Sequence, residues 1–226
     1  MTQYTYNRSI EEDEEDDEED RSLLSSLIGK QKPYQHYEHT ISTTHTHFYL
    51  SKAIRGPSEY IDMIHRISNA QSTDVIFIHL NTPGGDLSTG VQIINAMQNS
   101  QAKIVTMLEG MVYSLGTLIF LSGDEMVVND HCMMMCHNFR GGLAGPGHEI
   151  ASQLEATVKW FSLLAKQIYI PFISEEELAR IMKGEDLWMN SVDIRKRLDR
   201  MIKILKDQAN PKVKKPRAPK TPVDNS

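Results

Sequence analysis

The chain has 226 residues, 40% of them apolar, and a net charge of −6, which suits one domain with extensions or at most two small ones. The charge sits in the tails: residues 1–20 carry ten acids against Arg8, net −9, and residues 206–226 carry six bases against two acids, net +4, leaving the body at −1. A near-neutral body argues against a nucleic-acid groove, and the acid-rich start matches neither a secretory signal nor an organellar transit peptide.

In chain order, residues 1–21 read as a disordered acidic arm, because a block of like charges repels itself. Residues 22–28 (SLLSSLI) are a short apolar patch within a 22–42 segment that reads as a linker, docking or propeptide stretch. A globular domain is expected over 43–205. Within it, HTHFYLS (45–51) alternates as a strand and PSEYIDMIHRI (57–67) has helical spacing behind a proline. DVIFIHL (74–80) reads as a strand covered on both sides. A helix follows over 87–98, with Val91, Ile94 and Met97 on one face and Asp86 or Ser88 as its cap. Residues 103–108 suggest a second strand and the apolar run 111–121 a buried helix, too short to span a bilayer. Strands at 126–128 and 133–136, a long amphipathic helix at 149–169 and a capped one at 174–182 complete the elements. The Lys- and Pro-rich tail from 206 reads as unstructured. Strand–turn–helix repetition of this kind implies an α/β domain with a mostly parallel sheet.

The residues that could carry chemistry are spread along this frame. Gly84-Gly85 ends the strand at 74–80 and offers unblocked backbone N–H groups of the kind that hold an oxyanion. Ser114 stands in the run Gly110-Met-Val-Tyr-Ser-Leu-Gly116, near a strand-to-helix junction; as a nucleophile it needs a histidine to take its proton. It can equally be a packed or capping serine, and Val112 keeps the run from being a G-x-S-x-G elbow. His137 closes the strand at 133–136, and Asp186 stands at a turn with Glu185 as a rival beside it. Cys132 and Cys136 lie four residues apart in one strand, about 13 Å, too far for a disulfide. A metal site built from His131, Cys132, Cys136 and His137 is disfavoured because alternation splits them over two faces. His36, His39, His45 and His47 read as surface or strand residues. With no phosphate-binding loop in the chain, no nucleotide or other cofactor is expected.

Taken together, LNTPGGDLSTGVQIINAMQ, GMVYSLGTLIFLSG, MMMCHNFRGG and GEDLWMNS make the stretch from about 48 to 201 resemble the ClpP family of self-compartmentalising serine peptidases. The resemblance implies a crotonase-like α/β spiral of βαβ units, with the helix near 149–169 as a protruding handle where rings meet. It also implies a catalytic set of Ser114, His137 and Asp186, with the Gly85 and Leu115 N–H groups as oxyanion donors. The sequence departs from the family in having large residues at Val112 and Tyr113 before the serine. Asn138-Phe139 follows the histidine where Gln-Pro is usual, and Lys196-Arg197-Leu198 replaces a Tyr-Gly-Leu segment. The acidic arm has no family counterpart, so the chain resembles a phage or otherwise specialised member.

Such a protein is expected to be cytoplasmic and to cut unfolded polypeptides inside a homo-oligomeric ring, or stacked rings, fed by a separate AAA+ unfoldase. It would engage neither nucleic acid nor membrane. A capsid-maturation protease acting without an ATPase would use the same chemistry. A non-catalytic ring subunit and an acyl-CoA enzyme of the wider crotonase superfamily are the readings from other classes.

Overall fold

A computed structural model describes residues 37–38 and 41–209. The chain separates into two units, Met1–Thr40 and Ile41–Ser226. In the first, only Tyr37 and Glu38 are described, and both are exposed. The acidic arm, the apolar patch at 22–28, His36, His39 and the tail from 210 lie outside the described residues.

The second unit is built on a six-stranded sheet. Strands β1 (His45–Leu50), β2 (Val75–Thr82) and β3 (Lys103–Tyr113) run parallel and adjacent. The first half of β3 pairs in parallel with β4 (Glu125–Val128), and its second half with β5 (Met133–Cys136). The one antiparallel partner is β6 (Leu187–Asn190), on the far side of β5. Between the strands lie a short 3-10 turn at Pro57–Tyr60 and helices α1 (Ile61–Ser68), α2 (Leu87–Asn99) and α3 (Leu115–Leu121). Helices α4 (Gly147–Tyr169), α5 (Glu175–Met182) and α6 (Ser191–Ala209) follow. The expected mostly parallel α/β architecture is therefore present.

Alternation along the strands decides which face holds the core. Leu50 of β1, Ile76, Ile78 and Leu80 of β2, and Ile104 and Leu108 of β3 are buried with Ile93, Ile94 and Met97 of α2. Each such side chain contributes roughly 1.5–3 kcal/mol on leaving water. The opposite face of β1 and β2 is not covered as the apolar run 74–80 suggested. There His47 stacks on Phe77 and Tyr49 on His79, with Tyr49 itself well exposed. Helix α2 starts as expected: Asp86 accepts a hydrogen bond from the Thr89 N–H at 2.8 Å.

Two elements differ from expectation. The run 111–121 is not one buried helix: β3 continues to Tyr113 because Met111, Val112 and Tyr113 pair with Met133, Met134 and Met135 of β5. Cross-strand pairing to a distant segment overrides the local pattern, and the helix starts only at Leu115. The second difference is α6, which runs to Ala209, past the position 206 where an unstructured tail was expected. Its buried Ile194, Leu198 and Met201 recur at helical spacing, and Asn190 Oδ1 accepts from the Val192 and Asp193 N–H groups at its start.

Candidate active site

The site lies where β3 hands over to α3. Ser114 occupies that junction with φ 54° and ψ −126°, one of two non-glycine residues with positive φ among those described. Such a conformation costs a residue with a side chain of order 1–3 kcal/mol and persists only where the surroundings over-determine it. Here both flanking peptides are tied. The Ser114 N–H donates to the Met135 carbonyl at 2.9 Å, and the Ser114 carbonyl accepts from the Thr117 N–H at 2.9 Å and the Thr117 hydroxyl at 2.6 Å. Thr117 is in turn paired with the buried Tyr169 hydroxyl at 2.6 Å, which links the junction to α4.

Gly84 and Gly85 pack directly against this junction. Gly84 has φ +90°, and a Cβ there would stand 2.8 Å from the Tyr113 carbonyl oxygen and 2.9 Å from Ser114 Cβ. Gly85 has φ +151°, and a Cβ there would run into the backbone of Ile54. Residue 54 clamps the turn: its N–H donates to the Gly84 carbonyl and its carbonyl accepts from the Asp86 N–H, both at 2.8 Å. Among the described residues neither the Gly85 nor the Leu115 N–H has a hydrogen-bond partner.

His137 reaches the cleft just past the end of β5, and Asp186 stands just before β6. The antiparallel ladder ends with Cys136 opposite Leu187, and His137 and Asp186 are the next residues beyond it on the two segments. The Asn138 side-chain amide donates to the Met182 carbonyl at 3.0 Å and fastens the chain after His137 to the end of α5. Ser114, His137, Gly85 and Leu115 line one cleft of about 590 Å³, with Leu118 and Phe161 among its apolar walls. Asp186 is not part of that lining. Its carboxylate lies 3.7 Å from Arg140 Nη2, and Arg140 itself borders the cleft. Among the described residues no hydrogen bond joins Ser114 to His137 or His137 to Asp186.

Electrostatics at His137 follow from this placement. Burial lowers its pKa below the ordinary histidine value and the Arg140 charge lowers it further, while the Asp186 carboxylate acts the other way. The imidazole is thus favoured in its neutral form, the state a proton acceptor needs. Cys136 cannot compete as a nucleophile: full burial pushes its thiol up to about 12. Among the described residues no group of three or more His, Cys, Asp or Glu side chains is arranged to hold a metal ion.

Val112 and Tyr113, large where the family is small, are both absent from the cleft wall. Val112 is fully buried, and Tyr113 turns to Trp188 and Met133. The residue that sequence reading passed over is Arg140. Its signal was a lone charge between the expected base and Gly141-Gly142, which only the fold turns toward the cleft.

Comparison with known proteins bears on the same stretch. The model of the Clp protease family matches residues 44–210, about three quarters of the chain. The chain belongs to the Clp protease family. It is 26% identical over 102 residues to an ATP-dependent Clp protease proteolytic subunit of Ostreococcus tauri, covering 44% of this chain and 51% of that one. Similar proteins named ATP-dependent Clp protease proteolytic subunit 1 occur in Gloeobacter violaceus and Frankia casuarinae. The first is 32% identical over 80 residues, covering 34% of this chain and 41% of the relative. The second is 27% identical over 113 residues, covering 49% and 52%. The chain spans about half the length of the Clp protease subunits it matches.

Proposed function

We propose that this Clp protease family member is a serine endopeptidase that cuts polypeptides by acyl transfer at Ser114. The observation that carries the reading is the meeting of Ser114, His137 and two unpartnered N–H groups, those of Gly85 and Leu115, on one cleft. Ser114 Oγ attacks the scissile carbonyl while His137 takes its proton. The carbonyl oxygen, now an anion, accepts hydrogen bonds from the Gly85 and Leu115 N–H groups, and the amine leaves with the proton that His137 returns. Water, activated by the same imidazole, then releases the acyl half and restores Ser114.

In this reading Asp186 orients the imidazole and offsets its positive charge. The Arg140 contact of 3.7 Å must yield for that, and catalytic hydrogen bonds commonly tighten only when substrate is bound. Destructive chemistry on proteins calls for a closed chamber. The exposed Leu154, Val158, Trp160 and Leu163 along α4 support self-association through this helix, as in a homo-oligomeric ring. Unfolded substrate would then come from a separate AAA+ unfoldase, in a cytoplasmic setting compatible with two free cysteines.

The test is intact-mass analysis after fluorophosphonate treatment, with peptide cleavage assayed in parallel on wild type and Ser114→Ala. One adduct on the wild type alone, with cleavage lost by several orders of magnitude in the variant, is the expected result. An assembled wild type that takes no adduct and cuts no peptide would refute the reading.

A further inference from the structure

The cleft carries very little charge, and the state of each charged group decides what it can bind. Beside His137 the side chains on its wall that carry charge at neutral pH are Asp86 and Arg140, since burial holds the Tyr169 phenol neutral by pushing its pKa well above the usual value. Asp86 is committed to its own helix: it accepts from the Ser88 hydroxyl at 2.6 Å and from the Thr89 N–H and hydroxyl, both at 2.8 Å. Arg140 is not committed. Its side chain is 76% exposed, and among the described residues its single ion-pair contact is the one from Nη2 to Asp186 at 3.7 Å. A guanidinium has five N–H donors in a planar fork and bonds a carboxylate best through two of them, at about 2.7–2.9 Å. The long contact to Asp186 leaves most of that capacity unused.

The surroundings favour use by a ligand. Gly141 and Gly142 follow Arg140, also border the cleft, and have nothing within 4 Å of where a Cβ would be. The arginine therefore stands on a stretch of backbone that an extended chain can approach closely. Apolar Leu118, Leu154 and Phe161 line the same space, which leaves Arg140, among the described residues, as the one positive side chain on that wall.

We propose that Arg140 makes this site select acidic polypeptide segments, its guanidinium pairing with a Glu or Asp side chain close to the scissile bond. The inference rests on the peptidase reading and adds the substrate class. It also assigns Asp186 two successive partners. Before substrate arrives Arg140 shares its carboxylate, and once a substrate carboxylate takes the guanidinium, Asp186 is left to His137. The pairing exists in the bound ground state as well as in the transition state, so much of the preference falls in KM.

The experiment uses the full chain and internally quenched peptides of one core sequence, with Glu, Gln or Lys placed in turn at each position flanking the cut. Wild type is expected to favour Glu over Gln by about tenfold in kcat/KM at one or two positions and to disfavour Lys there. That tenfold corresponds to about 1.4 kcal/mol. The ratio should shrink in 0.5 M salt, where the Debye length is only a few ångströms. In Arg140→Gln the Glu-to-Gln ratio within the same enzyme should fall to about one, and in Arg140→Glu the preference should move to Lys. Equal Glu and Gln rates at every position in wild type, with cleavage still dependent on Ser114, would overturn the inference and leave the peptidase reading intact. So would a Glu preference that survives in Arg140→Gln. Absence of both Ser114-dependent cleavage and a fluorophosphonate adduct would remove both readings together.

Discussion

Glu177 offers a quantitative test of how the Asp186 side of the cleft is held. It opens α5 with a capping box, its N–H donating to Ser174 Oγ at 3.2 Å while its carboxylate accepts from the Ser174 N–H at 2.9 Å. The same carboxylate takes Arg197 of α6 in a two-point pair at 2.7 and 2.8 Å, with the two side chains only 18% and 21% exposed. The Arg197 hydrogen bond is the main reason the Glu177 pKa drops from 4.5 to about 2, against a smaller cost of burial. A depression of that size corresponds to about 3 kcal/mol of stability. Because the folded value lies below the unfolded one, the contribution is complete above the unfolded pKa and disappears as pH falls toward the folded one.

Glu177→Gln is the appropriate perturbation, since glutamine keeps the volume and can still serve the capping box. Urea unfolding at one protein concentration should show the variant less stable by about 2–3 kcal/mol at pH 7. At pH 3, between the two pKa values, roughly half of that difference should remain. A gap under about 1 kcal/mol at pH 7, or one that stays constant down to pH 3, would refute the assignment of this pair as the tie between α5 and α6.

Gly84→Ala should cost of order 1–3 kcal/mol through its positive φ and push the Ser114 junction aside, so that fluorophosphonate labelling slows at least tenfold. Labelling at the wild-type rate would count against the packing described. In the peptidase reading the acid limb of kcat/KM follows His137, which must be neutral to act, and it should lie below the ordinary histidine value. Asp186→Asn removes a charge that raises this pKa and should move the limb to lower pH while reducing the rate; Arg140→Gln should move it to higher pH. Shifts in the same direction would contradict the opposed roles of the two charges.

What the sequence determined by itself is the set of local devices. Glycine at 84 and 85 is needed where φ is positive and the neighbouring backbone leaves no room for a Cβ. Asp86 and Ser174 are read directly as caps, and alternation in 45–50 identifies the buried face of β1. These signals depend on a residue and its near neighbours, so they are visible without the fold. The end of β3 was not visible, because its last three residues are strand through pairing with β5, about twenty positions later, and with Thr82 of β2. β6 was hidden for the same kind of reason, since four residues become a strand only against β5, whereas α6 carried local signals that the reading passed over, an Asn190 cap and apolar residues at helical spacing. That the Asp186 charge acts on His137 likewise depends on antiparallel pairing between segments some fifty residues apart. Arg140 is the sharpest case. Its charge is plain in the sequence, but its position between Asp186 and the cleft exists only after β5, α5 and β6 have packed, since no local rule relates a side chain to a carboxylate 46 positions away.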